Sequence, residues 1–293
     1  MAERVAILRK SSLGDVVLVG SITDALPGAV TVVTHPRYAE VAAKMRGVDR
    51  VLPWPDGVPD WDVDRIVDLQ GNPASRWLLR SFRGPVSRIR KRPVLRRLSV
   101  MWGIGPGRPS VPELYGEAAG VQPAERPWLD VPDRPRDTLL VAPGASWAPK
   151  RWHANGFAMV AAGWDGPVVV VGSAGERVLV EQVAATVPGA RAVAGDGFSW
   201  AWELLARTRV AVVNDSGWMH LAGATGAKVV ALFGPTSPRD GFAVYPGAVI
   251  ERSVHCRPCA LHRVATCKTG TLACQDHDPQ AVIDAMNRCA GSS

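Results

Sequence analysis

The chain has 293 residues, of which 47% are hydrophobic and 21% charged, and a formal net charge of +7. That composition is of a folded chain and argues against disorder, and the length suits two domains of ordinary size. No apolar run approaches the ~20 residues needed to span a bilayer, and the N-terminal MAERVAILRKSSLGD lacks the layout of a signal peptide. Five cysteines without an export signal read as reduced thiols or metal ligands, which predicts a cytoplasmic protein. The basic excess favours anionic partners without choosing among phosphates, nucleic acid and acidic lipid.

In chain order, Arg4–Arg9 reads as a strand, the Gly14-Asp15 turn comes next, and Val16–Leu26 reads as a helix. A strand at Val30–Thr34, a helix at Arg37–Met45 and strands at Val48–Leu52 and Asp64–Leu69 continue the alternation. A helix at Ala74–Phe82 and a weaker strand at Val86–Arg90 complete this half. Four prolines between Val121 and Arg136 mark a linker. Alternation then restarts with strands Thr138–Ala142 and Pro167–Val171 and helices Gly156–Ala162 and Glu176–Thr186. After them come a helix around Trp200–Arg207, strand Val210–Val213, helix Gly217–Gly226, strand Lys228–Phe233 and helix Pro279–Arg288. Strands alternating with helices predict an α/β chain of parallel sheets. The expected domains are residues 1–130 and 131–293, with ligands beyond the carboxyl ends of the strands and a cleft between the halves.

The residues just after each strand are therefore the candidates. Asp15 opens the first helix: it is either a first-turn carboxylate offsetting the helix dipole or a general base for an incoming hydroxyl. In Pro143-Gly144-Ala145-Ser146 with Lys150-Arg151, backbone N–H groups, a hydroxyl and an ammonium can reach a phosphate. The spacing is not that of a P-loop, and the plain alternative is a strand-to-helix turn with solvated cations. In Asp215-Ser216-Gly217-Trp218-Met219-His220, Asp215 or Ser216 caps a helix whose N-terminus offers donors to a diphosphate. His220, one turn in, is either a packing residue or part of that anion site. Gly172-Ser-Ala-Gly175-Glu176 suits a ribose or sugar hydroxyl.

Taken in order, these segments resemble glycosyltransferase family nine, the heptosyltransferases of lipopolysaccharide inner core. The resemblance is carried by Leu13-Gly14-Asp15, Gly47-Val-Asp-Arg-Val51, Asp68-Leu69-Gln70-Gly71 and Pro143-Gly144-Ala145-Ser146 with Lys150-Arg151-Trp152. Its strongest parts are Asp215–His220, Ala222-Gly-Ala224 and Phe233-Gly234-Pro235-Thr236. It implies the GT-B fold of two Rossmann-like domains. It also implies an inverting, metal-independent transfer of a sugar, heptose from ADP-heptose, onto a saccharide or lipid-linked saccharide hydroxyl. By that resemblance Asp15 is the base, and Gly14, Gln70 and Asn72 lie on the acceptor side. Ser146, Lys150, Ser216, Gly217 and His220 hold the donor diphosphate, Glu176 the ribose, and Gly144, Asp215 and Met219 complete the donor site. The chain departs from the family in its shorter N-terminal half and in Trp200 and Trp202 at a helix start. Two other readings stand beside this one: the same fold with another nucleotide sugar, serving a capsule or a metabolite, and a noncatalytic nucleotide- or metal-binding protein.

Two features lie outside these motifs. Arg76, Arg80, Arg83, Arg88, Arg90, Lys91, Arg92, Arg96 and Arg97 run without an intervening acid. They form either a solvated face or a surface for the inner leaflet of an anionic membrane; nucleic acid ranks last because no nucleic-acid-binding pattern accompanies them. Cys256, Cys259, Cys267 and Cys274, with His255, His262 and His277 nearby, include a Cys-x-x-Cys pair that suits a structural zinc. No metal is expected in catalysis.

Overall fold

The computed structural model describes residues 2–90, 109–242, 244–259 and 264–291. Among them, residues 2–90 and 109–130 form one compact unit, and the chain from Val131 onward forms a second.

The first unit is built on five parallel strands: β1 (Arg4–Leu8), β2 (Ala29–Thr34), β3 (Arg50–Pro53), β4 (Arg65–Asp68) and β5 (Val86–Arg88). Their order is β3-β2-β1-β4-β5. Val5 to Leu8 are fully buried, as a central strand covered on both faces requires. The connecting helices are α1 (Leu13–Val19), α2 (Ala39–Ala42) and α3 (Pro73–Leu78). Each is shorter than its apolar pattern predicts, for a local reason. α1 stops at Gly20, and the Ser21 hydroxyl donates back to the Leu18 carbonyl at 2.8 Å. The chain then tightens into a 3-10 turn at Thr23–Ala25. Before α2, Pro36 opens a 3-10 turn in which the Arg37 N–H donates to His35 Nδ1.

A fourth helix, α4 (Val111–Ala119), lies where the sequence reading places none. Its signals are ordinary: Ser110 and Glu113 form a reciprocal capping box, Pro112 sits in the first turn, and Gly120 ends it at φ 73°. The proline-rich stretch after it is not all linker. Leu129 pairs with Met45 in an antiparallel bridge, and the Trp128 ring lies under the guanidinium groups of Arg126 and Arg46, 4.0 and 4.9 Å away.

The second unit has six parallel strands: β6 (Thr138–Ala142), β7 (Val168–Gly172), β8 (Arg191–Ala194), β9 (Thr208–Asn214), β10 (Lys228–Phe233) and β11 (Gly247–Glu251). Their order, β11-β10-β9-β6-β7-β8, is that of a dinucleotide-binding fold. Helices α5 (Ala154–Ala162), α6 (Arg177–Ala185), α7 (Trp202–Arg207), α8 (Gly217–Ala224) and α9 (Pro279–Gly291) accompany the sheet. One core joins Val141, Val170, Val212 and Val230 of the strands to Phe157, Val183 and Met286 of α5, α6 and α9. Strands β8 and β11 are absent from the sequence reading. Both are edge strands and largely exposed, so neither carries the unbroken apolar run that marks β6 or β7. The two unexpected tryptophans are packing residues: Trp202 is buried in α7, and Trp200 tilts against Trp218 of α8 at 5.7 Å.

In each unit the chain reverses its winding beside the central strand. The crevice opens at the carboxyl ends of β1 and β4 in the first unit, and of β6 and β9 in the second.

Candidate active site

The second unit's crevice is fastened by Asn214, the last residue of β9. Its amide nitrogen donates to the Pro143 carbonyl at 2.8 Å, and its amide oxygen accepts from the Trp152 N–H at 3.1 Å. One buried side chain thus fixes both ends of the loop after β6. That loop carries Gly144 and the exposed Ser146 and ends in a 3-10 turn at Ala148–Lys150. The Arg151 Nε donates to the Ala145 carbonyl at 2.9 Å and holds the turn closed. Sequence reasoning does not single out Asn214. Its position at a strand end, one residue before Asp215, is the signal that could have found it.

Lys150 does not point into solvent. Its ammonium donates to Asp215 Oδ2 at 2.6 Å, and the Thr236 hydroxyl donates to the same oxygen at 2.7 Å. Both members of the pair are largely enclosed, with side-chain exposures of 10% and 15%. Burial pushes the Asp215 carboxyl up, but Lys150, Thr236 and the nearby His220 together hold it below the ordinary carboxylate range. Asp215 is therefore ionised at neutral pH and pins the lysine at the mouth of the crevice, with ammonium protons left over for an anion.

Helix α8 begins at Gly217, with Ser216 at its N-cap. The Ser216 hydroxyl is buried and has no partner among the described residues. An unpaired hydroxyl beside the free N–H groups of a helix start suits a phosphate oxygen. His220 lies one turn on, buried, with its Nδ1 3.1 Å from the Tyr245 hydroxyl and its ring edge-on to Tyr245 and Phe242. The Met219 side chain is buried.

Glu176 comes close to the same loop from the β7 side. Its Oε2 accepts from the Ser173 N–H and hydroxyl at 2.9 and 2.8 Å. Its other oxygen lies where a side chain at residue 144 would begin: a Cβ on Gly144 would sit 2.1 Å from Oε1. Gly144→Ala is therefore expected to swing the flexible Glu176 carboxylate off Ser173, at a cost of no more than about 1 kcal/mol in a thermal or denaturant melt. A crystal structure of the variant with Glu176 still on Ser173 would contradict the close approach.

In the first unit, Asp15 sits in the first turn of α1, at the carboxyl end of β1. Arg9 Nη2 lies 2.7 Å from Asp15 Oδ2, and the Ser12 N–H and hydroxyl donate to the same oxygen at 3.1 and 2.9 Å. Burial pushes its carboxyl up; the Arg9 charge and hydrogen bond, with Ser12, outweigh that and hold it low. Asp15 thus caps the turn, as the plainer expectation has it, and is an ionised acceptor with a side chain 21% exposed.

Across the crevice, Asp68 ends β4. Its Oδ1 accepts from the Gln70 and Gly71 N–H groups, and its Oδ2 accepts from the Ser75 hydroxyl at 2.9 Å. Gln70 Oε1 accepts from the Lys10 N–H at 3.0 Å and so ties the two loops together. Asn72 is the N-cap of α3, its side-chain oxygen accepting from the Ser75 N–H, and Gly14 is buried in α1.

These two carboxylates, Asp15 and Asp215, contribute to how stability responds to acid. Both have folded pKa values below the ordinary aspartate value of ~3.9. Their contribution is complete above the unfolded pKa and is lost as pH falls through the folded ones. Buried His277, pushed down to about 4, adds a loss that begins where a free histidine protonates, so a melting temperature that declines below about pH 6.5 and more steeply below about pH 4 is the expected result; Asp215→Asn should flatten the lower part of that decline.

The profile of glycosyltransferase family 9 (heptosyltransferase) matches residues 110–272, more than half of the chain. The chain belongs to glycosyltransferase family nine. This family-nine glycosyltransferase is 28% identical to lipopolysaccharide heptosyltransferase 1 of Pseudomonas aeruginosa, over 87% of this chain and 86% of the relative. Its fold is that of ADP-heptose lipopolysaccharide heptosyltransferase II of Escherichia coli. The TM-score is 0.74 at 20% identity, covering 98% of each chain. The Escherichia coli heptosyltransferase WaaC with ADP gives 0.71 at 17% identity, over 98% of this chain and all of the other. Two Rossmann-like units of the GT-B class are thus the architecture, and the protein is an enzyme of sugar transfer.

The cysteine segment of this glycosyltransferase backs onto the second unit's loops: Arg257 donates to the Thr236 carbonyl and Gln275 to the Pro149 carbonyl, at 2.8 and 2.9 Å. Cys256, Cys259, Cys267 and Cys274 line one pocket, with Pro149, Pro235 and Arg257 among its other walls. All four are free thiols. Burial pushes Cys259 and Cys274 up, while the Thr269 hydroxyl and nearby N–H groups draw Cys267 down to about 7. Among the described residues, no three histidine, cysteine, aspartate or glutamate side chains are grouped to hold a metal ion. The structure therefore lends no support to the zinc expectation: the cysteine spacing brings the four thiols to one pocket, but among the described residues they form no metal-binding group. His277 is buried edge-on to Trp152 and pushed down to about 4 by that burial, while His262 lies outside the described residues. No helix is long and apolar enough to cross a membrane among the described residues.

Proposed function

We propose that the enzyme transfers heptose from ADP-heptose to a hydroxyl of a saccharide acceptor of the lipopolysaccharide core by a single, inverting displacement without a metal ion. The reading is supported most by the enclosed Lys150–Asp215 pair beside the start of α8, whose N-cap hydroxyl is buried and unpaired. In transfer, positive character grows at the sugar and negative charge on the departing diphosphate. Lys150, Ser146, the Ser216 hydroxyl, the Gly217 N–H and His220 stabilise that charge, a duty otherwise given to a divalent cation. Gly144 leaves room for the Glu176 carboxylate against the donor-side loop, and Met219 is proposed to line the donor site from the core side. Asp215 acts as a positioning residue for Lys150, because a carboxylate directly against phosphate would repel it. Glu176 has one oxygen committed to Ser173 and the other 4.0 Å from the Arg151 guanidinium, and it is proposed to meet the ribose from there.

Asp15 takes the proton of the acceptor hydroxyl, with Gly14, Gln70 and Asn72 shaping the acceptor side. One base on the face opposite the leaving group suffices for inversion. The corresponding location is the cytoplasm, where the nucleotide sugar is made available.

Ser216→Ala separates a donor role from a structural one. The hydroxyl bonds nothing in the described structure, so the unliganded protein should melt within about 0.5 kcal/mol of wild type. ADP should bind about tenfold more weakly, the loss of one charge-assisted hydrogen bond. For the reaction itself, the product's anomeric configuration is read by NMR in the presence of excess EDTA. Inversion with full turnover supports the proposal; retention, or loss of turnover that added divalent metal restores, refutes it.

A further inference from the structure

Nine of the 34 basic residues lie between Arg76 and Arg97, where there is no acid; the other 25 are outnumbered by 27 acids. The chain is therefore basic because of this one segment. Its described part begins on α3 and the 3-10 turn after it, Leu79–Ser81. Leu78 and Leu79 go into the core of the first unit, with Ala6, Leu8 and Ile66. The opposite side of the turn presents Arg76, Trp77, Arg80 and Arg83, all exposed. Trp77 is 43% exposed, one of few large apolar side chains left outside. The Arg80 guanidinium lies over its ring at 4.8 Å. Arg88, by contrast, is engaged by Asp68 at 3.4 Å. Among the described residues, no ion pair engages Arg76, Arg80 or Arg83.

We propose that Arg76, Trp77, Arg80 and Arg83 form a docking surface for an anionic phospholipid membrane. The chemistry points to a surface rather than a pocket. The three arginines are exposed and spaced along one helix, the turn after it and the chain just beyond, beside an exposed indole, which suits several headgroups at once. Each basic residue near an acidic membrane contributes about 1 kcal/mol, and an indole beside such charges settles at the headgroup level, where its apolar ring and polar N–H are both satisfied. The proposal is independent of the donor and of the reaction, since vesicle binding needs no turnover.

The test is co-sedimentation of the full chain with vesicles of phosphatidylcholine alone and of equimolar phosphatidylcholine and phosphatidylglycerol, with a short DNA duplex as a second anionic partner. Binding to the phosphatidylglycerol vesicles alone, weakened by salt, is expected. The triple variant Arg76→Gln, Arg80→Gln, Arg83→Gln should bind those vesicles roughly a hundredfold more weakly. Trp77→Ala should weaken vesicle binding several-fold and leave duplex binding unchanged. An unchanged melting temperature and far-ultraviolet circular dichroism spectrum show that each variant is folded. Equal binding to both vesicle types, wild-type affinity in the triple variant, or a duplex that binds more tightly than the vesicles and as sensitively to Trp77→Ala, would overturn the proposal.

Discussion

Asp15→Asn is expected to lower turnover by about a thousandfold while leaving donor affinity within twofold of wild type, as removal of a general base should. Asparagine is the informative substitution. It can still accept from Ser12 and remain beside Arg9, so the turn that opens α1 is retained. Both variants remove the countercharge of Arg9, whose side chain is 9% exposed, but Asp15→Ala also leaves Arg9 and the Ser12 donors with no oxygen to bond, and would confuse catalysis with folding. The pH profile offers a second, independent reading. Because Asp15 is held below the ordinary range, the rate should be limited by its protonation only well below neutrality. Above about pH 5 the acid limb should be flat. Arg9→Gln removes the charge that outweighs burial, so Asp15 should titrate higher and the acid limb should move toward neutrality. A limb that stays in place in Arg9→Gln would mean that another group supplies the base.

The second large effect belongs to Lys150. Lys150→Ala leaves Asp215 enclosed with one hydroxyl partner and no countercharge, and should destabilise the protein by about 3–5 kcal/mol. It should also weaken ADP binding by at least tenfold. The double variant Lys150→Met, Asp215→Leu separates these effects. Replacing both charges by apolar side chains of similar size is often neutral for stability, so the melt should recover most of the loss. ADP affinity should not recover, because the cation that meets the diphosphate is still missing. If the double variant regains both, the pair is a structural element and the diphosphate is held elsewhere.

Much of this site is legible because strand ends are legible. β6 and β10 match the apolar runs Thr138–Ala142 and Lys228–Phe233 residue for residue, since a central parallel strand is buried on both faces. Once such a strand is placed, the loop at its carboxyl end is placed too, and Asp15, Lys150 and Ser216 stand out there as candidates. The relations among them are not legible. Nothing in the sequence couples Lys150 to Asp215, 65 positions away, or assigns Asn214 the task of joining two loops. Those contacts depend on β6 and β9 being neighbours in the sheet, which periodicity does not encode.

The misses have local causes. α4 carries a capping box and a terminal glycine, but its short apolar stretch lies beside a proline-rich region that reads as irregular. β8 and β11 alternate weakly because edge strands face solvent. The helices of the first unit end early where hydroxyl and proline residues offer the backbone other partners. The cysteine segment shows the converse. Its spacing suggests a metal, yet among the described residues the thiols line a pocket without forming a metal-binding group.

The most direct test of the account is a thermal-shift comparison of ADP, UDP, GDP, CMP and ADP-heptose at matched concentrations. A ligand at a hundred times its dissociation constant adds about 2.7 kcal/mol, enough to move the melt of a chain this size by several degrees. Stabilisation by ADP and more strongly by ADP-heptose, reduced in Ser216→Ala, is the predicted result. Stabilisation by UDP or GDP in place of ADP, or no response to any nucleotide, would contradict it.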